Sequence, residues 1–320
     1  MEKSNRTIPS YLNDFLDWLE IQKGLSSKSQ ENYARFLKKF LDWLEKNKLS
    51  NLKPHELSSD HVWKYRVFLS RQCVNSSGQP LKKTTQNYYL IALRSLLNYF
   101  ADKDILSLPT EKIQLARDKG DKQVRFLVLE QLEKLFKAPD VSKIQGLRDR
   151  AILEILFSTG MRISELTALD RNQIKIKPNN KEELELSIIG KGGRMRTVYF
   201  SEKALYWLSK YLETRKDDEK ALFINYRSKK NASKRLTNRS IEKSMKKYVV
   251  MAGLPLNTTP HVMRHSFSTD LLAQGVDIRI LQEFLGHKNI AATQIYAHVT
   301  NKKLREIHQK FHGGRKQKFS

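Results

Sequence analysis

The residues best suited to chemistry lie near the carboxyl end, where Tyr296 follows the pair Gly286-His287 and the segment 260–265 reads Pro-His-Val-Met-Arg-His. A phenol is a weak nucleophile at neutral pH unless its neighbours activate it or stabilise the charge on the group it attacks. Histidine and arginine side chains can do both. This combination predicts a tyrosine that attacks a phosphodiester and holds DNA through a phosphotyrosine bond.

Two arginines are candidates for binding the phosphate oxygens, because planar guanidinium groups match the charge that builds there. Arg264 lies one helical turn after His261, so the two side chains should face the same way. Arg162 begins a short predicted helix, where backbone N–H groups can add to an anion site and Glu165 can hold the arginine by an i,i+3 pair. Taken alone, an arginine at a helix start beside a glutamate is more often a surface ion pair, and a lone His-x-x-Arg pair commonly arises by chance.

The leaving 5′ oxygen needs a proton, and Lys191 is the candidate donor. It stands in the glycine-rich turn Gly190-Lys191-Gly192-Gly193, between two predicted strands. The glycines permit a tight turn and a close approach of the backbone to phosphate. An ordinary solvated turn lysine is the alternative, just as His287 alone fits a helix cap and Tyr296 alone fits a packed side chain.

Metal binding is the rival use of the histidines, with His261, His265, His287 and His298 as conceivable ligands. No His-Glu-x-x-His motif, acidic cluster or cysteine partner accompanies them. The turn at Lys191 also lacks the spacing of a nucleotide-binding phosphate loop. The sequence therefore predicts neither a metal nor another cofactor.

The charge balance favours a nucleic-acid partner. Lys and Arg number 59 against 34 Asp and Glu, which gives a net charge of +25. A generally basic protein, or one that meets an anionic membrane surface, is the alternative. No apolar run approaches the ~20 residues of a membrane helix, and the polar start does not resemble a signal peptide. With Cys73 as the single cysteine, we expect a cytoplasmic protein without disulfides.

Apolar periodicity predicts a mainly α-helical chain with one small β-sheet in two domains. Residues 1–101 read as a helical domain whose aromatic residues line a core, with Ser27 capping one helix and Gln30 reaching back. Proline and mixed charge predict a linker over 102–124. Residues 125–320 form a second domain, in which alternation over 184–188 and 196–200 predicts a β-hairpin.

Taken together, the motifs resemble the tyrosine recombinase (phage integrase) family, and within it the Xer type. Four stretches match the motifs of this family in order and spacing. These stretches are 158–166 (Ser-Thr-Gly-Met-Arg-Ile-Ser-Glu-Leu), 190–194 (Gly-Lys-Gly-Gly-Arg), 260–267 (Pro-His-Val-Met-Arg-His-Ser-Phe) and 285–296. Met263 replaces a commoner leucine, which conserves volume. The basic tail after Gly314 and the basic segment 227–239 are outside the usual pattern.

The resemblance implies a catalytic set of six residues: Arg162, Lys191, His261, Arg264, His287 and Tyr296. The arginines would clamp the scissile phosphate, and the lysine would protonate the leaving 5′ hydroxyl. His261 would help to deprotonate or orient the nucleophile, and His287 would hydrogen-bond the phosphate. Tyr296 would form the 3′-phosphotyrosyl link, which a 5′ hydroxyl from a partner duplex then attacks.

The resemblance also implies an assembly. The two domains, a core-binding domain and a catalytic domain, would form a C-shaped clamp around double-stranded DNA that carries an inverted-repeat site. Four subunits, alone or with a paralogue, would act on two such sites, and residues 301–311 would dock on the neighbouring subunit. A septal DNA translocase is a further possible partner.

Several functions remain open from the sequence. The leading hypothesis is a recombinase that resolves chromosome or plasmid dimers. The closest alternative, an integrase of a mobile element, uses the same chemistry. A type IB topoisomerase would use similar side chains as a monomer. A regulator that only binds DNA could use residues 271–296 as a helix-turn-helix, but it would not need Tyr296, Arg162 and Lys191 together.

Overall fold

The fold is known from a computed structural model, which describes residues 1–116, 125–174, 184–190, 193, 195–228, 233–286 and 293. The chain divides into two compact units, 1–121 and 122–320. Within the described residues, no helix has both the length and the apolar character that a membrane crossing requires. The expected mainly α-helical fold with a small sheet is confirmed.

The first unit packs its α-helices around an aromatic-rich core. These helices are α1 (Leu12–Ile21), α2 (Ser27–Lys46), α3 (Ser59–Arg71) and α4 (Lys83–Asp102). Phe15, Phe40, Tyr65 and Phe100 are fully buried, one from each helix. Their rings meet edge to face or in tilted and stacked pairs, so the apolar stripes hold the unit together, as the sequence predicts.

The predicted cap of α2 is wrong by one residue. Ser26, not Ser27, is the N-cap, and its hydroxyl lies 3.1 Å from that of Ser29. The side-chain amide of Gln30 donates to the carbonyl of Leu25 at 2.9 Å instead of returning to the cap's N–H. Serines in succession offer several similar caps, and local packing selects among them.

Part of the segment that composition predicts as a linker packs on the first unit. Ile113 is buried in its core, and Leu108 and Leu115 pack against that core. Asn87, on α4, exchanges two hydrogen bonds with the backbone of Ala116. The apolar side chains at these positions explain why the backbone follows the unit at least as far as Ala116.

The second unit combines helices with a hairpin. Its elements are α5 (Leu129–Lys137), α6 (Ile144–Thr159), α7 (Ile163–Ala168), β1 (Leu184–Ile189), β2 (Met195–Phe200), α8 (Glu202–Glu213), α9 (Asn238–Met251), α10 (Pro260–Gln274) and α11 (Ile278–Leu285). β1 and β2 pair antiparallel, with Leu184 opposite Phe200 and Ile189 opposite Met195. This is the predicted hairpin.

Helix α6 is the centre of the second unit's core. The consecutive residues Ala151, Ile152 and Leu153 are all buried, so more than one side of the helix is covered, and the helix packs against α5, α8, α10 and β2. A helix surrounded in this way has a fixed axis and a fixed end. Whatever follows its last turn is therefore held in a defined place relative to α10 and the hairpin.

Candidate functional site

The site begins where α6 ends. Gly160 adopts φ of +57°, which ends the helix in the left-handed region. A Cβ at this position would lie 2.4 Å from the Phe267 ring on α10, so both the conformation and the space require glycine. The close contact brings the turn that carries Arg162 directly against α10.

Arg162 is the N-cap of α7, and Glu165 holds it by two bonds. The Arg162 backbone N–H donates to Oε2 of Glu165 at 2.7 Å, and Nη1 donates to Oε1 at 3.0 Å. The expected i,i+3 pair is therefore confirmed. Among the backbone N–H groups expected to add to an anion site at this helix start, that of Arg162 is occupied by the Glu165 carboxylate. The Arg162 side chain remains 26% exposed.

Arg264 ties this turn to the end of α11. Its guanidinium is buried, and Nη1 donates to the carbonyl of Gly160 while Nη2 donates to the carbonyl of Leu285, both at 2.6 Å. These two acceptors lie on different segments, so one side chain fixes the end of α6 relative to the end of α11. Both of these acceptors are uncharged backbone carbonyl oxygens.

His261 lies one turn before Arg264 and is partly exposed. Partial burial, followed by the positive charges of Arg264 and Arg162, lowers the pKa of its imidazole below the ordinary value. His265 lies next on the same helix face, with ring centroids 5.9 Å apart. Burial lowers the pKa of His265 to about 4, with His261 and Arg264 adding to the effect. Both imidazoles are therefore neutral at pH 7, and a neutral imidazole can accept a proton.

Arg196, on β2, completes the ion network, and sequence reasoning missed it. Nη1 and Nη2 donate to Oε1 and Oε2 of Glu165 at 3.0 and 2.7 Å, and Nε donates to the carbonyl of Phe284 at 3.0 Å. Burial would raise the pKa of Glu165, but the bonds from Arg196 and Arg162 outweigh it and lower that pKa to about 2. The alternation of the strand could have identified Arg196 as an inward-facing residue, because it shares one face of β2 with the buried Val198 and Phe200.

The structure therefore brings Arg162, Arg264 and His261 together. The other three predicted residues, Lys191, His287 and Tyr296, lie outside the described residues. The described part of the chain contains no group of three or more His, Cys, Asp or Glu side chains placed to hold a metal ion.

Comparison with known proteins gives the class. Residues 125–303 match the Phage integrase family, and residues 12–104 match the Phage integrase N-terminal SAM-like domain. The chain is 32% identical over 306 residues to tyrosine recombinase XerD of Lacticaseibacillus casei, covering 93% of this chain and 97% of the relative. It is 30% identical over 315 residues to tyrosine recombinase XerD of Staphylococcus aureus, covering 94% and 98%.

A solved structure shares the fold. The XerH site-specific recombinase bound to palindromic difH substrate, in a post-cleavage complex, is 23% identical, with 97% of this chain and 98% of that chain covered and a TM-score of 0.71. The class is thus that of DNA strand-transferring enzymes. The chain belongs to the tyrosine recombinase, or phage integrase, family. Its reaction is site-specific recombination by the tyrosine recombinase mechanism.

Proposed function

We propose that the six residues named from the sequence form the catalytic site. Arg162 and Arg264 hold the non-bridging oxygens of the scissile phosphate, with a hydrogen bond from His287. The Tyr296 oxygen attacks phosphorus, and its proton passes to His261. The bond from phosphorus to the 5′ oxygen breaks, and Lys191 supplies the proton that leaves with it. The 3′-phosphotyrosine keeps the energy of the broken bond, so a 5′ hydroxyl from a partner duplex can reverse the step.

The main support for this catalytic site is that three motif residues far apart in sequence, Arg162, His261 and Arg264, lie close together in the fold. Arg264 donates to the carbonyl of Gly160, two residues before Arg162, and both arginines lower the pKa of His261. Positive charge and a neutral proton acceptor thus stand side by side. This is the pairing that attack by a phenol on a phosphodiester needs.

For the biological role we propose Xer-like resolution of chromosome or plasmid dimers. Support comes from the XerD relatives, which align over nearly the whole chain at 30–32% identity. The substrate is then double-stranded DNA with an inverted-repeat site. The active assembly is a tetramer on two sites, formed by this chain alone or with a paralogue in the cytoplasm. Residues 301–311 link neighbouring subunits, and a septal DNA translocase assists.

Covalent capture tests the chemistry and the role together. Wild type and Tyr296→Phe are mixed with nicked fragments of the host genome and denatured, and DNA that stays linked to protein is sequenced. We expect adducts from wild type alone, concentrated at one inverted-repeat locus. An adduct in Tyr296→Phe would remove that residue from its role.

The captured locus and the binding data separate the functions. A locus near the replication terminus supports dimer resolution, whereas one beside a mobile element supports integration. If both proteins bind DNA tightly and neither leaves an adduct, the regulator becomes the better interpretation.

A further inference from the structure

The carboxylate of Glu165 is shared between two arginines that hold it differently. Arg196 binds both carboxylate oxygens and is 7% exposed, whereas Arg162 reaches one of them through Nη1 and is 26% exposed. Among the described residues, Nη1 is the one guanidinium nitrogen of Arg162 that donates a hydrogen bond. Two positive charges and one negative charge leave the cluster with a net positive charge.

The fold holds Arg196 rigidly. Its Nε donates to the carbonyl of Phe284 near the end of α11. Its Cδ lies so near Gly286 that a Cβ there would approach within 2.9 Å. Gly286 has φ of +60°, which also favours glycine. A planar fork with three fixed acceptor atoms does not rotate away from Glu165, so the carboxylate stays neutralised from its buried side.

From this geometry we propose that Arg196 is a positioning residue. By neutralising Glu165, it leaves the positive charge of Arg162 available to the scissile phosphate. The inference rests on the proposed function, in which Arg162 binds that phosphate.

Loss of Arg196 would change the charge that the phosphate meets. With Arg196 absent, Glu165 has Arg162 as its remaining arginine partner, and the pair becomes electrically neutral. The guanidinium would turn towards the carboxylate and give up contact with the phosphate. Arg196→Lys keeps the charge but not the fork, so it should retain more cleavage activity than Arg196→Gln.

The test compares two scissile groups in the DNA site that wild type captures. One duplex carries the ordinary phosphodiester, and the other carries a neutral methylphosphonate at the same position. We expect Arg196→Gln to slow adduct formation on the phosphodiester by about tenfold or more, because a neighbouring charge is lost. On the methylphosphonate the loss should stay below about threefold, since that group carries one negative charge fewer for Arg162 to stabilise.

A double variant separates charge from shape. In Arg196→Gln with Glu165→Gln the unbalanced carboxylate is gone, so phosphodiester cleavage should be faster than in Arg196→Gln alone. The inference would be overturned if Arg196→Gln slowed adduct formation equally on both substrates. It would also be overturned if the double variant cleaved the phosphodiester no faster than Arg196→Gln alone.

Arg215→Gln is the matched control. Arg215 is also buried, binds both oxygens of Asp217 at 2.7 Å and donates to the carbonyl of Leu222 at 2.7 Å. Arg215→Gln should slow adduct formation on the two substrates to the same extent. A charge-selective loss in this control would count against the assignment to Arg196.

Arg162→Ala checks the underlying function in the same assay. It should be slow on the phosphodiester and recover on the methylphosphonate. If Arg162→Ala has no effect, the proposed catalytic role and the inference fall together. If Arg162→Ala behaves as expected while Arg196→Gln slows both substrates equally, the inference falls alone.

Discussion

Replacing Glu165 by Gln should destabilise the second unit through one buried ion cluster. The carboxyl is 6% exposed, and its pKa lies at about 2 instead of the ordinary 4.5. That difference corresponds to about 3 kcal/mol of folding free energy at pH 7. Breaking a buried pair by removing one partner typically costs about 3–5 kcal/mol, because Arg196 is left buried without its counter-charge. The two estimates agree, so we expect a loss of about 3 kcal/mol.

The pH dependence has a definite sign. Because folding lowers the pKa of Glu165, its contribution is complete above pH 4.5 and is lost as the pH falls towards 2. The difference between wild type and Glu165→Gln should therefore shrink from about 3 kcal/mol at pH 7 to about 1 kcal/mol near pH 3. A difference that stayed constant over this range would mean that packing, not charge, causes it.

The assay must report on the second unit alone. Urea unfolding of the full chain, followed by hydrogen exchange in peptides from α6 and α8, gives that resolution. Glu213→Gln removes the same charge from the exposed Lys210–Glu213 pair and should cost less than about 0.5 kcal/mol. If Glu165→Gln cost no more than this control, the ion cluster would not hold the site together.

Three further outcomes follow from the site. Cleavage should decline on acidification as His261 becomes protonated, because the imidazolium cannot accept the tyrosine proton; His261→Asn should lose this decline, and a pH–rate profile identical to that of wild type would remove His261 from that role. Gly160→Ala should cost about 2–4 kcal/mol in thermal unfolding, because a strained φ adds to the clash with Phe267. Gly253 has φ of +63° but open space around it, so Gly253→Ala should lose only the free energy due to backbone strain, about 1 kcal/mol. If the two substitutions destabilised the protein equally, the predicted clash with Phe267 would be wrong. Lys191→Ala should cleave slowly and recover on a 5′-thiolate leaving group, whereas an absent rescue would assign the acid to another group.

The elements that position the site were predictable where short-range pattern decides structure. Apolar periodicity and a glycine stop indicate the helix that ends at Gly160, and alternation indicates the hairpin that carries Arg196. The pairing of Arg162 with Glu165 also follows from their three-residue spacing. Cap choice at Ser26 was not predictable, because adjacent serines differ only in tertiary surroundings.

Contacts between distant segments needed the structure. Arg264 reaches a carbonyl 104 residues away, and Arg196 reaches Phe284 across 88 residues. Period-two alternation places Arg196 on the inward face of β2, so a buried anionic partner could have been expected there. Its identity as Glu165 could not, because it depends on how the end of α6 packs against the hairpin.

Burial and neighbouring charges shift the pKa values of three groups of the site, Glu165, His265 and His261. Glu165, with a pKa of about 2, stays ionised throughout the neutral and moderately acidic pH range. His265 has a pKa of about 4 and stays neutral over most of it. The pKa of His261 is also lowered from the ordinary 6.5, so its imidazole gains a proton on acidification. Protonating it places a third positive charge next to Arg162 and Arg264, which strengthens attraction for the phosphate while removing the proton acceptor. DNA affinity and cleavage rate should therefore move in opposite directions on acidification, and a loss of both together would mean that the fold, not His261, responds to pH.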